Sequence, residues 1–323
     1  MAIEGLGVAG SFGNSLDALA LAAHSLLAGQ PFAVNRQADT ESLKAYMPAR
    51  ALRRVDHFTR MTLLAAFSAL ADAGLTSADL ADTGIVLATG YGPARLTFDF
   101  LDSLIDYGPE MASPLAFSHS VHNIPAATVA LTLKVTGPCT TVSQFETSVG
   151  AALTSASAWL TEGRVSRVLV GAADEFTDYL EVAAAAVANE LPSPGSGGRR
   201  GLMLGDGAVF LLLHGDAKRA RHGFISDIVF SGVAQADPIR ETLFFSGAAP
   251  FDRSAFYDYE MYDFSSVYGH IPIAMAFDIA IAAQALAGGL HPVVQPHAQV
   301  RCISRDSFGN TVAVTINGVQ FDA

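Results

Sequence analysis

The sequence predicts an α/β fold, and three observations carry that expectation. Short apolar runs of strand length alternate with helical stretches along the chain. Two of the helices are rich in small apolar residues on every side, which places them inside a layered structure and not on its surface. One strand passes through a tight turn directly into such a helix.

The opening "MAIEGLGVAG" has a strand pattern, and a helix is expected over 15–29. A second helix covers 59–74, followed by the strand "GIVLATG" (84–90) and a short helix over 96–106. The stretch "GPCTTVSQFETSVGAAL" begins as a strand containing Cys139, turns at Glu146 and continues as a helix over 146–163. Then come the strand "RVLVGAAD" (167–174), a helix over 176–189, and the Pro-, Gly- and Ser-rich loop "ELPSPGSGGRRG" (190–201). Strands follow at 207–215 and 224–233, a second apolar helix at 271–288, and a last strand at 310–316. The two apolar helices, each preceded by a turn, read as counterparts in a duplicated fold, although no strict sequence period accompanies them.

Composition narrows the function classes. The 323 residues are 50% hydrophobic and 15% charged, so much apolar surface must be hidden in buried helices or an oligomer. No apolar run reaches the roughly 18 residues of a membrane span. A net charge of −12 disfavours a nucleic-acid partner, because phosphates would be repelled. Arg50, Arg53, Arg54 and Arg60 form a local basic cluster, read either as a solvated helix face or as a docking patch for an acidic partner. Cys139 and Cys302 stand far apart with no metal-ligand spacing, so neither a disulfide framework nor a zinc site is expected. The N-terminus lacks a charged region and a cleavage site, and a cytoplasmic setting follows.

Ordered segments along nearly the whole chain resemble the β-ketoacyl synthases of fatty-acid and polyketide assembly. "GLGVAGSFGN" is similar to their opening strand and turn, and "RRVDHFTRMTLLAAFSALADAGL" to their first long helix. "GPCTTVSQFETS" resembles the nucleophile elbow, "RVLVGAADE" the strand behind it, and "MLGDGAVFLLL" the next hairpin. "SSVYGHIPIAMA" resembles the second catalytic loop and its helix, and "DSFGN" the gating loop. The resemblance implies a thiolase-like fold, a duplicated layered α/β/α/β/α architecture. It also implies a single domain over 1–323 made of two pseudo-repeated halves, roughly 1–215 and 216–323.

The resemblance also implies a degenerate active site. Counted from Gly137-Pro138, the nucleophile position carries Glu146, which cannot hold an acyl chain as a stable thioester. The first catalytic histidine falls on Ser246 or Phe245, according to which end of "LFFSGAAP" anchors the comparison, and the lysine falls on Ser265. His270 is retained. Phe308 corresponds to the gating phenylalanine, but the tail of its loop is shortened, as are two segments of the second half. No catalytic residues, cofactor or metal are therefore expected.

This profile matches the chain-length factors, which pair with an active ketosynthase and complete its acyl tunnel across the dimer interface. The partners implied are a catalytic ketosynthase subunit, in a heterodimer, and an acyl carrier protein. Thr97, Phe98, Phe100 and Leu101, on or near one helix face, are the expected tunnel residues. His119, His122 and Asn123 are the expected interface residues. Two other functions stand beside this one: a malonyl-carrier-protein decarboxylase that primes synthesis, and a homodimeric acyl-binding scaffold.

Overall fold

A computed structural model describes residues 1–30, 37–190, 204–230, 241–247, 259–288 and 299–319. All but the first residue of the loop expected over 190–201, and part of "LFFSGAAP", lie outside them.

Among the described residues ten strands form one sheet in two runs of five. The first run holds β1 (Ala2–Gly10), β2 (Thr83–Thr89), β3 (Cys139–Ser143), β4 (Arg167–Asp174) and β5 (Gly207–His214). The second holds β6 (Phe224–Phe230), β7 (Glu241–Gly247), β8 (Glu260–Tyr262), β9 (Gln299–Arg305) and β10 (Thr311–Asn317). The spatial order is β3-β2-β4-β5-β1-β6-β10-β9-β7-β8. Read outward from the join, each run places its strands first, fifth, fourth, second and third. The sense of pairing repeats as well. β2 is parallel to β3 and β4 as β7 is to β8 and β9, and the remaining neighbours are antiparallel in both runs. The chain is thus a duplicated α/β fold, its halves meeting where Ala2 pairs with Phe224.

The helices are α1 (Leu16–Leu27), α2 (Ala49–Leu52), α3 (His57–Ala73), α4 (Ala94–Tyr107) and α5 (Pro114–His119). They continue with α6 (Ile124–Leu133), α7 (Ser148–Thr161), α8 (Asp178–Glu190), α9 (Ser265–Tyr268) and α10 (Ala274–Leu286). Strand alternation sorts the core. Ile85, Leu87, Leu169, Phe210 and Leu212 face α3 and α6 on one side of the first half. Val86, Val170, Leu211 and Leu213 face α7 and α10 on the other. Val312 and Val314 of the second half also meet α7 and α10, so these two helices are covered by sheet from both sides. Their small apolar residues are the price of that position, since bulkier side chains would hold the two half-sheets apart. On the far face of the second half Leu243, Phe245, Ile303 and Ala313 form a small cluster of their own.

The segment that holds Phe245 and Ser246 is a strand, not among those expected from the sequence: residues 241–247 form β7. "TLFF" is β-prone, and pairing with β8 and β9 extends the strand to Gly247.

Candidate functional site

The carboxyl ends of the parallel strands β3, β2 and β4 lie side by side, the place where open α/β sheets gather their functional groups. Asp174, at the end of β4, organises this edge. It is fully buried and accepts hydrogen bonds from Thr89 Oγ1 at 2.7 Å, Gly90 N at 3.0 Å and Tyr91 N at 2.9 Å, holding the turn after β2 in place. Burial pushes its carboxyl up to about 6 against the pull of these donors. Next along, Glu175 accepts from Arg95 N at 3.1 Å and burial raises it to about 7. His57, opening α3, bonds through Nε2 to Asp206 Oδ2 at 2.8 Å.

After β3 the chain turns through Phe145–Thr147 into α7. Ser148 braces the turn: its Oγ accepts from Gln144 N at 2.7 Å and lies 2.9 Å from Thr89 O. Glu146 sits in this turn and is 8% exposed. Burial holds its carboxyl above the ordinary carboxylate range, and the nearby Asp306 and Asp174 add to the effect, while its own backbone N–H opposes it. The glutamate is thus packed inward among other acids. The residue before it, Phe145, has φ +47 and is 51% exposed, its ring edge-on to Tyr91 with centroids 6.4 Å apart. Burial, with Asp174 and Glu146 nearby, pushes the Tyr91 phenol up to about 12. Sequence reasoning singled out neither Phe145 nor Tyr91. The available signal was a bulky aromatic in a turn that demands a left-handed residue.

The second catalytic loop of the resemblance reaches the same edge. His270 stands half-buried between α9 and α10, just after Gly269 at φ +84. A Cβ on Gly269 would lie 2.4 Å from Gly205 N, so only glycine allows the two chains to pass. Gly90 allows Pro272 to seat against the turn after β2, since a Cβ there would lie 2.2 Å from Pro272 Cβ. Ser265 opens α9, its N–H bonded to Asp263 Oδ1 at 2.9 Å. On β7, Phe245 joins the outer cluster while Ser246, 4% exposed and in register with Ser304, lies on the opposite face. Of the two candidates for the missing histidine, Ser246 is therefore on the face that looks toward α10. Among the described residues no histidine takes its place, and Asp278 of α10 is bound by Tyr268 OH at 2.6 Å.

Phe308 is 83% exposed at the tip of the β9–β10 loop. Asp306 ties that loop together, accepting from Phe308 N at 2.9 Å, Asn310 N at 2.8 Å and Asn310 Nδ2 at 2.7 Å.

The expected tunnel and interface residues lie along α4, α5 and the start of α6. Phe98 stacks on Tyr179 of α8 at 4.3 Å, whereas Phe100 meets Phe117 of α5 at 5.2 Å. Their rings leave α4 in different directions, where the sequence pattern reads as one face, because positions two apart lie about 200° apart on a helix. Thr97 Oγ1 bonds back to Pro93 O at 3.0 Å, and Leu101 is solvent-exposed. His119 Nδ1 lies 3.4 Å from Asp56 Oδ2, the His122 ring lies against Gly92, and Asn123 is exposed ahead of α6. Around them Ile105, Tyr107, Met111, Leu115 and Phe117 are also exposed, with Ile105 at 77%. β3 is the outermost strand of its half, and its far edge carries no strand among the described residues.

Among the described residues no cluster of His, Cys, Asp and Glu could hold a metal ion, and no helix is long and apolar enough to cross a membrane.

Residues 22–218 match the family model "Beta-ketoacyl synthase, N-terminal domain". No curated protein matches the chain by sequence. The structure is similar to the ishigamide ketosynthase/chain length factor, with TM-score 0.75, 18% identity and 99% of each chain covered. It is similar to the AntDE:AntF complex, a type II PKS acyl-carrier protein with its ketosynthase bound to the hexaketide, with TM-score 0.77, 15% identity and 98% and 99% covered. A beta-ketoacyl synthase from Burkholderia phymatum STM815 gives TM-score 0.76 at 15% identity, with 99% of each chain covered.

Proposed function

This chain belongs to the β-ketoacyl synthase family, and from that premise we propose that it is a non-catalytic chain-length factor. It pairs with an active ketosynthase and shapes the tunnel in which an acyl chain grows on an acyl carrier protein. The observation that carries this reading is the absence of a thiol at the turn into α7. The turn holds Phe145 and Glu146, and Cys139 lies at the start of β3, six residues before Phe145. A helix N-terminus favours an anion, so the glutamate is tolerated there. A carboxylate at this position would form a mixed anhydride with an acyl group, which water destroys. The inward face of β7 offers Ser246 where a histidine would be needed to steady an enolate.

The surface supports a partner. The far edge of β3, which carries no strand among the described residues, and the exposed Ile105, Met111, Leu115 and Phe117 are surfaces that a partner chain could cover. The solved relatives include a ketosynthase/chain length factor and a ketosynthase held with an acyl-carrier protein, and the same partner types suit this chain. The Arg50, Arg53 and Arg54 cluster would then meet an acidic carrier protein favourably.

The test is co-expression with a ketosynthase encoded beside this chain, mass determination of the complex, and a condensation assay with Glu146→Ala in this subunit. A one-to-one complex that elongates at an undiminished rate supports the reading. An intact complex whose activity falls by orders of magnitude assigns Glu146 to the chemistry and overturns it.

A further inference from the structure

Two stripes run side by side along α4. Phe98, Leu101 and Ile105 follow the spacing i, i+3, i+7, and Asp99, Asp102 and Asp106 repeat that spacing one residue later. Residues so spaced share one helix face, and a step of one residue turns the stripe by about 100°. Leu101, Ile105 and all three aspartates are exposed, while Phe98 is half-buried by its stack on Tyr179 of α8. Tyr179 OH donates to Asp102 Oδ2 at 2.8 Å, but among the described residues neither Asp99 nor Asp106 makes an ion pair.

The charge on this face has one sign. Between Arg95 and His119 the chain carries Asp99, Asp102, Asp106 and Glu110 and no lysine or arginine. α8 opens with Asp178 and Glu181 and contains no lysine or arginine either. The exposed Arg50, Arg53 and Arg54 lie elsewhere, on and just after α2. Like charges three and four residues apart weaken an isolated helix, so α4 itself gains nothing from the row of aspartates. Solvation accounts for acids on a surface, but not for the exposed Ile105 beside them or the exposed Met111 that follows.

We propose that the paired stripes of α4 dock a subunit whose own surface sets lysine or arginine beside an apolar ridge, and that the aspartates bar a second copy of this chain. That the subunit is a ketosynthase rests on the function proposed above; the sign of its charge does not. A face that pairs with itself about a two-fold axis sets acid against acid. Opposite charge steers the encounter, and like charge rejects the wrong partner. The apolar stripe supplies the burial that holds a pair together, and the acidic stripe decides which pair forms.

In the experiment the full chain and a variant of it, distinguished by tags, compete in co-expression for a limiting amount of the ketosynthase encoded beside this chain. The captured ratio is read by intact mass. The test variant is Asp99→Lys/Asp102→Lys/Asp106→Lys. Its net charge is matched by Glu41→Lys/Glu162→Lys/Asp227→Lys, which reverses three exposed acids on other elements. The unsubstituted chain is expected to outcompete the test variant at least ~10-fold and the matched variant by less than ~2-fold. Equal capture of the test variant, or an equal loss in the matched variant, overturns the proposal.

The neutral variant Asp99→Asn/Asp102→Asn/Asp106→Asn guards against misfolding of the reversed one. Sedimentation of each chain alone at low ionic strength should find the unsubstituted chain monomeric and the neutral variant self-associated. A neutral variant that stays monomeric overturns the proposal, as does an unsubstituted dimer that Ile105→Asp makes monomeric, since this face then belongs to a second copy. Capture of neither chain by the ketosynthase removes the function proposed above, and sedimentation still decides whether the aspartates keep this face from its own copy.

Discussion

The two halves repeat one strand order, yet their chains enter the central helices differently. In the first half β3 passes through Phe145 at φ +47 into α7. In the second, β8 is only three residues long, α9 intervenes, and the left-handed position before α10 belongs to Gly269 at φ +84. Glycine adopts that conformation without penalty, whereas an L side chain gives up about 1–2 kcal/mol. The same architecture therefore keeps a relaxed entry on one side and a strained one on the other.

The halves also bury carboxyls differently, and this gives the largest expected effect. Asp174 is surrounded by backbone and hydroxyl donors, while Asp278 in α10 is bound by Tyr268 OH. Burial raises Asp278 from 3.8 to about 7. A carboxyl raised on folding destabilises the native state once it must ionise. Its contribution is thus most favourable below about pH 4, declines as pH rises toward 7, and levels off above. The full span corresponds to about 4 kcal/mol. Urea unfolding of Asp278→Asn between pH 4 and 8 should show a flatter profile, the remaining slope coming from Asp174 and Glu175 of the first half. A slope as steep as that of the unsubstituted chain would remove Asp278 from the account.

Exchanging the entries is next. Gly269→Ala puts a Cβ 2.4 Å from Gly205 N in a left-handed conformation, and a loss of about 3 kcal/mol is expected. Phe145→Gly should change stability by no more than about 1 kcal/mol, because relief of strain offsets the lost ring contact with Tyr91. Chemical unfolding of both variants checks the contrast, which similar losses would erase.

The smallest effect on stability is expected at the surface. Ile105→Asp, at a position 77% exposed, should alter unfolding by less than about 0.5 kcal/mol. It should nonetheless abolish co-purification with the ketosynthase. Co-purification at full yield would move the interface away from α4.

Much of the fold was legible along the chain. The runs 84–90, 167–174 and 207–215 coincide with β2, β4 and β5 to within a residue at each end, because buried strands are unbroken runs of Val, Leu, Ile and Ala. The apolar helices at 146–163 and 271–288 belong to α7 and α10, since a helix lacking a polar face has to be enclosed. β7 was not legible, because "TLFFSG" becomes a strand only through pairing with β8 and β9. Nor was the opposite exposure of Phe145 and Glu146. A sequence names the residue types in a turn but not the sign of φ, which depends on the bonds that Ser148 and Thr89 make across the fold.

By itself, then, the sequence determined the α/β class and the enclosed helices, which follow from residue type and periodicity, and the family, which follows from the ordered resemblance of its segments. The tertiary structure alone decided that Ser246 faces inward and Phe245 outward, that Phe98 and Phe100 part company on α4, and that Phe145 is half-exposed while Glu146 is buried. Each of those is a direction in space, and directions are set by strand pairing and packing between segments distant in the chain.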